Sequence, residues 1–170
     1  MDIRFLEKIE IEILHGMTLK QHGGGRGLRD VSLFESALAR PLNLAAYRPD
    51  ASLAELGASL CYGLANNHPF VDGNKRTALL ALTTFFAFND VPLELTQEEA
   101  VEMMLAVASG RMDEPALAAF LGERLAPVKA TRMLANIDRG AENAPVGSVS
   151  RWLEARERDQ PGPVASRPGI

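Results

Sequence analysis

The chain has 170 residues, of which 46% are hydrophobic and 24% are charged, and its net charge is −4. This length can bury one hydrophobic core, and the acidic balance disfavours nucleic acid as a partner. The longest apolar run, residues 78–88, is shorter than the roughly 20 residues that span a membrane, and the N-terminus lacks the apolar core of a signal peptide. The single cysteine, Cys61, cannot form an internal disulfide and is expected as a buried thiol in a reducing cytosol. Together, these observations indicate a cytoplasmic protein with no membrane partner.

The first predicted helix covers about residues 4–20 and ends at the glycine-rich stretch QHGGGRG, residues 21–27. Three capping boxes then predict helix starts, because a hydroxyl and a carboxylate three residues apart can each satisfy a backbone amide. The boxes are Ser32 with Glu35, Ser52 with Glu55, and Thr96 with Glu99, for helices of about 33–40, 53–67 and 97–109. Pro41 is predicted to end the first of these helices, which leaves residues 41–50 as a surface loop.

A helix of about residues 74–89 is apolar nearly all round, which predicts a place in the middle of a bundle. A last helix of about 114–124 begins beside Pro115, since proline is tolerated in the first turn. The composition changes near residue 126, because residues 126–170 hold 5 of the 10 prolines. We therefore expect a helical domain of residues 1–125 and a C-terminal extension of residues 126–170 that is partly helical or disordered.

The stretch NNHPFVDGNKRTALL, residues 66–80, interrupts this apolar region with polar groups. Pro69 lacks an amide hydrogen and Gly73 is a poor helix former, so residues 68–73 are predicted to form a loop. Asn74 then begins the next helix. The free amides and the dipole at such a helix start favour a bound anion.

Four charged or titratable side chains surround this helix start. The positive charges of Lys75 and Arg76 are unfavourable at the positive end of the helix dipole, but a bound polyphosphate would make them favourable. Asp72 is a hard oxygen ligand suited to magnesium, and His68 can accept a proton near neutral pH. These residues predict phosphate chemistry, whereas the alternative is that His68 and Asp72 cap helices while the two cations are solvated. The residues alone leave both interpretations open.

Other chemistry is less well supported by the pattern. His68 and Asp72 have the four-residue spacing of zinc ligands on one helical face, but the neighbouring proline and glycine disrupt such a helix. His15 and His22 lack ligand-like spacing, and we expect both to be solvated or partly packed. The glycine-rich stretch 21–27 matches neither the dinucleotide pattern nor the GK[ST] ending, so it is predicted to be a flexible connector.

HPFVDGNKR, residues 68–76, resembles the signature HxFx[DN][AG]NKR of the Fic/Doc family, in particular of its death-on-curing (Doc) branch of toxin kinases. GLRDVSLFESALARP, residues 27–41, resembles the stretch that precedes the active helix in that branch. The resemblance covers about residues 4–125. It implies an all-α fold, a compact bundle of about six helices around a central buried helix.

The resemblance also implies site roles, with ATP and Mg²⁺ as cofactors. His68 would deprotonate the target hydroxyl, Asp72 would hold the magnesium ion, and Phe70 would anchor the loop in the core. The nucleotide phosphates would be held by Gly73, Asn74, Lys75 and Arg76.

For the Doc branch, the resemblance implies transfer of the ATP γ-phosphate to a threonine of elongation factor Tu, which stops translation. It further implies an antitoxin that binds in a groove beside the active helix, and a target chain that docks on residues 42–51.

Two alternatives remain at this stage. AMP-transferring Fic enzymes resemble HPFxxGNGRxxR, and this chain has Lys75 and Leu79 where that pattern has glycine and its last arginine. Both differences favour the kinase, although the sequences HPF, residues 68–70, and DG, residues 72–73, resemble those of the AMP-transferring group. The other alternative is a catalytically idle binding module, which the intact set of polar residues disfavours.

Overall fold

Six α-helices make up the described part of this computed structural model, residues 3–125. They are α1 Lys8–His22, α2 Val31–Tyr47, α3 Leu53–Asn67, α4 Asn74–Phe88, α5 Gln97–Ala108 and α6 Glu114–Gly122. The predicted all-α bundle of about six helices is confirmed, and the predicted extension of residues 126–170 lies outside the described residues. Within residues 3–125, no helix is both long and apolar enough to cross a membrane.

The helix at the centre of the bundle is α3, which packs against α2, α4, α5 and α6. Ten of its 15 residues are buried, including Cys61, whose pKa burial raises to about 12. Glycine allows the close approach of α4, because a Cβ on Gly57 would lie 2.5 Å from the Phe86 ring. The predicted burial of Cys61 is confirmed, and burial disfavours the thiolate form that a reactive cysteine needs.

The prediction that α4 has no exposed face is wrong. This helix packs on α1, α3 and α5, which leave part of its surface uncovered. Leu79 and Leu80 are half-buried beside a groove, and Phe88 is exposed. The guanidinium of Arg4 lies 3.9 Å from the centre of the Phe88 ring and shields part of it.

Side-chain caps start most of these helices, and two of the three predicted capping boxes are confirmed, those of Ser52 and Thr96. The Ser32 box is wrong. The N-cap of α2 is Asp30, whose Oδ1 accepts the Leu33 amide at 3.1 Å and the Ser32 hydroxyl at 2.6 Å. An aspartate at the end of an extended segment caps as well as serine does, so α2 begins two residues earlier than the box predicts.

The helix α2 continues through Pro41 to Tyr47, so the predicted surface loop at 41–50 is wrong over most of its length. A proline inside a helix removes one hydrogen bond and crowds the carbonyl four residues earlier. Here Pro41 is buried, and Leu44 and Ala45 beyond it pack against the core. The contacts of these three residues with the core help to compensate for the lost bond.

The same finding overturns the predicted docking role of residues 42–51. Part of that segment is helical, and the rest leads into the N-terminal end of α3. His68 follows the other end of α3, and a helix of 15 residues is about 22 Å long. Residues 42–51 are therefore too far from His68 to present a target hydroxyl to it.

Candidate active site at the start of α4

The loop between α3 and α4 begins with a left-handed residue. His68 has φ 50° and ψ 53°, a region that residues other than glycine seldom occupy. The side chain of His68 is exposed, while Pro69 and Phe70 are buried, as the anchoring role expected of Phe70 requires. The carbonyl of Pro69 accepts the amides of Arg29 and Asp30 at 2.7 and 3.1 Å. The predicted loop is confirmed, and the segment before α2 holds it in place.

Asn74 closes the loop with both polar atoms of its side-chain amide. Its Oδ1 accepts the Phe70 amide and its Nδ2 donates to the Phe70 carbonyl, both at 2.9 Å. Because the residue is buried and both amide atoms bond to Phe70, its side chain mainly fixes the loop shape, and only one Nδ2 hydrogen is left for another acceptor. Asn74 can contribute to an anion site through its backbone amide and through the loop shape.

The N-terminus of α4 has no side-chain cap. Its N-cap is Gly73, which is left-handed with φ 76° and has no side chain to accept the first amides. In contrast, side-chain oxygens of four other N-cap residues accept an amide: Asp30, Ser52, Thr96 and Asp113. The uncapped amides and the helix dipole make this end of α4 suitable for an anion.

The structure brings all six predicted site residues together in one pocket of about 350 Å³. They are His68, Asp72, Gly73, Asn74, Lys75 and Arg76, and Val71 completes the lining. Lys75 is exposed and Arg76 is half-buried, so both cations can reach a ligand. A larger pocket, about 790 Å³, lies between α6 and the N-terminal end of α3 and contains none of these residues.

Asp72 is about half exposed and makes weak contacts with Arg76. Its Oδ1 accepts the Gly73 amide at 2.5 Å, and the nearest guanidinium nitrogen of Arg76 is 3.5 Å from the same oxygen. Within residues 3–125, no group of three His, Cys, Asp or Glu side chains could hold a metal ion. One carboxylate still fits magnesium, which is often held by one or two carboxylates with phosphate and water oxygens.

Comparison with known proteins agrees with the motif. The model of the Fic/DOC family matches residues 5–86. Toxin Doc of Mycolicibacterium smegmatis is 40% identical over 103 residues, which cover 58% of this chain and 78% of that protein. The chain belongs to the Fic/DOC family. Protein kinase doc of Escherichia phage P1 is 28% identical over 116 residues, or 68% of this chain and 91% of that protein. The predicted family, and its death-on-curing branch, are confirmed.

In this Fic/DOC chain the glycine-rich stretch packs against Val71 and Asp72, so it is more than the connector that the sequence predicted. A Cβ on Gly24 would lie 2.4 Å from Oδ2 of Asp72, and a Cβ on Gly25 would lie 3.0 Å from the Val71 side chain. The carbonyl of Gly27 accepts the Val71 amide at 3.0 Å. The run of glycines was the available signal, since close backbone approach requires residues without a side chain.

Replacing Gly24 by alanine is expected to displace the Asp72 carboxylate and to weaken magnesium-dependent nucleotide binding about tenfold, the usual effect of disturbing a metal ligand's support. Gly23→Ala is the matched control. Gly23 also has a positive φ, 71°, but nothing lies within 4 Å of its Cβ position. Both variants should lose ~1–3 kcal/mol of stability from backbone strain, because both glycines have a positive φ outside the region that alanine adopts. Calorimetric titration with Mg-ATP should separate them, and equal affinities would contradict this role of Gly24.

The histidines of α1 differ from each other. His22 is exposed, as predicted, but His15 is 7% exposed, so the expectation that it is solvated or partly packed is wrong. Burial lowers the pKa of His15 below its usual value, while the nearby Asp72 carboxylate opposes this shift and the Arg76 guanidinium adds to it. The sequence carried no local signal for this burial, because it results from packing between α1 and the active-site loop.

Proposed function

We propose that this chain is the toxin of a toxin–antitoxin pair, a Doc-type enzyme that transfers the γ-phosphate of ATP to a threonine or serine hydroxyl of a target protein. The observation that carries the proposal is the pocket that His68 shares with the uncapped N-terminus of α4. The names of the two relatives, toxin Doc and Protein kinase doc, support it. Residues 1–125 would form the catalytic domain and residues 126–170 an extension.

His68 would act as the general base. Phosphoryl transfer depends mainly on positioning and electrostatic stabilisation, and a base needs only to take the proton of the attacking hydroxyl. The hydroxyl oxygen bonds to the γ-phosphorus, the bond from that phosphorus to the β–γ bridging oxygen breaks, and ADP leaves. The imidazole then returns the proton to solvent.

The start of α4 would stabilise the transferred phosphate. The first amides of α4 can donate to phosphate oxygens, and Lys75 and Arg76 meet the charge that develops on them. Arg76 is available because its contacts with Asp72 and with the Gly23 carbonyl are long, 3.5 and 3.4 Å. A magnesium ion on Asp72 would neutralise part of the phosphate charge when bound.

Lys75 and Leu79 favour γ-phosphate transfer over AMP transfer. In the AMP-transferring pattern, glycine in place of Lys75 leaves room for the α-phosphate, and an arginine in place of Leu79 holds the outer phosphates. Here Lys75 lines the pocket, and Leu79 is apolar and borders the neighbouring groove. A nucleotide in the AMP-transferring orientation would therefore lack room for its α-phosphate and an arginine to hold its outer phosphates. The reversed orientation would place the γ-phosphate beside His68.

A groove beside α4 is the site that we propose for the antitoxin. Its volume is about 470 Å³, and Arg76 lies on its lining together with residues of α1, α4 and α5. The apolar part of the lining is formed by Leu79, Leu80, Leu93, Leu95 and Ala100. An antitoxin segment with apolar side chains could bury this surface and approach Arg76 at the same time. The target would be a cytoplasmic protein, with elongation factor Tu as the first candidate.

ATP labelled at the γ-phosphate or at the α-phosphate tests the proposal, with bacterial cell extract as acceptor. Label should enter protein from the γ position and not from the α position, because a kinase transfers the terminal phosphate. Incorporation from the α position would instead assign an AMP transferase, and no incorporation from either position would favour an idle binding module.

The double variant Lys75→Gly, Leu79→Arg is the matched control for this experiment, since it restores both features of the AMP-transferring pattern. It should lose γ-label transfer and is the variant in which α-label transfer is expected. Unchanged γ-label transfer in this variant would contradict the role given to Lys75 and Leu79.

A further inference from the structure

The ring of His15, on α1, lies directly under the active-site loop. It stacks on the ring of Phe70, with centroids 3.9 Å apart and an angle of 13° between the planes. Its Nδ1 is 3.1 Å from the hydroxyl of Thr77, in the second turn of α4. The ring therefore joins a residue at the beginning of the loop to a residue on the helix that follows it.

The ring also lies near Gly73, between these two residues. The Cε1 atom of His15 is 3.6 Å from the point where a Cβ on Gly73 would be. His15 therefore approaches the chain on both sides of Asp72, at Phe70 and at Gly73. A flat ring fits this space, because the Phe70 ring lies nearly parallel to it on one face.

We propose that His15 is a positioning residue of the active site: its ring is the platform that holds the 68–74 loop in the geometry required for phosphoryl transfer. The effect of His15 on phosphoryl transfer rests on the proposed function, whereas its effect on the loop geometry does not. His15 acts through Phe70, on which its ring stacks, and it needs no contact with the nucleotide or with the target.

A polar ring is otherwise an unfavourable choice at this place. The Nε2 atom of His15 is buried and has no hydrogen-bond partner among the described residues. A buried nitrogen without a partner is destabilising, and a core position with no other requirement would favour an aliphatic side chain. The stacking contact and the Thr77 bond supply a reason for a flat ring with a nitrogen on one edge.

Two variants of His15 test the platform. His15→Leu has a similar volume but no flat face, whereas His15→Phe keeps a ring that can stack on Phe70. Both remove the Thr77 bond and the unpaired nitrogen, so they differ mainly in stacking. Leu117→Val, a conservative change in the buried face of α6, is the control for a general loss of packing.

The first readout is hydrogen exchange of the Phe70 and Val71 amides, which bond to Asn74 and Gly27. Exchange should be at least about tenfold faster in the leucine variant and close to wild type in the phenylalanine variant, with α3 unchanged in both. Equal exchange rates in the two variants would overturn the proposal, whether or not the protein transfers phosphate.

The second readout is kcat per folded protein, measured with γ-labelled ATP. It should fall about 10- to 100-fold in the leucine variant, with a smaller change in KM, and should recover in the phenylalanine variant. Leu117→Val should lower the midpoint of thermal unfolding without changing kcat. If wild type transfers nothing while the exchange rates differ as expected, the proposed function fails and the platform stands. Equal kcat values for the leucine variant and wild type would overturn the platform's catalytic role.

Discussion

Replacing His68 by asparagine is expected to lower the rate of phosphate transfer by about 10²–10⁴-fold, the usual contribution of a general base. Asparagine is the sharper substitution because it tolerates the left-handed backbone at this position, where alanine would add strain. Nucleotide binding should persist, since the start of α4 and its cations are unchanged. The measurements are single-turnover transfer from γ-labelled ATP and calorimetric ATP affinity.

His68→Gly provides a matched test of the same position. Glycine adopts a φ of 50° without penalty, so this variant should be as stable as wild type or more stable, while its transfer rate should be as low as that of the asparagine variant. Imidazole in the buffer should restore part of the rate in the glycine variant. A transfer rate near wild type in either variant at neutral pH would exclude His68 as the base.

Replacing Asn74 by alanine should have the largest effect on the loop. The change leaves the amide and the carbonyl of Phe70 buried without partners, and each such group costs ~1–3 kcal/mol. We expect a clear fall in the free energy of unfolding, and a loss of about 10² in transfer rate because the loop no longer holds His68 and Asp72 in place. Chemical denaturation and γ-label transfer measure the two effects.

Asn66→Ala is the control for Asn74→Ala. Asn66 is exposed, and its side-chain nitrogen donates to the Tyr62 carbonyl at 3.1 Å, so its loss should change stability by less than ~0.5 kcal/mol. Asn74→Asp is informative as well. Its carboxylate can accept the Phe70 amide but repels the Phe70 carbonyl and a bound phosphate. If Asn74→Ala lowered nucleotide affinity and left stability unchanged, Asn74 would be a ligand rather than the closure of the loop.

Local chemistry in the sequence predicted much of the fold. The range of α3 and the loop after it depended on a serine–glutamate cap, a proline and a glycine, which act on neighbours a few residues away. The signature HPFVDGNKR added the family. Where packing competed with a local rule, packing prevailed: α2 continues through Pro41, which is itself buried and is followed by Leu44 and Ala45 packed against the core.

The candidate site was predicted as a set of residues but not as an arrangement. Its six members lie within residues 68–76, so their proximity followed from the sequence. The sequence did not reveal that the Asn74 side chain is occupied by Phe70. Nor did it predict that Gly24 approaches Asp72, or that His15 lies under the loop. His15 and Thr77 are 62 positions apart, and such contacts depend on where α1 packs, which only the tertiary structure decides.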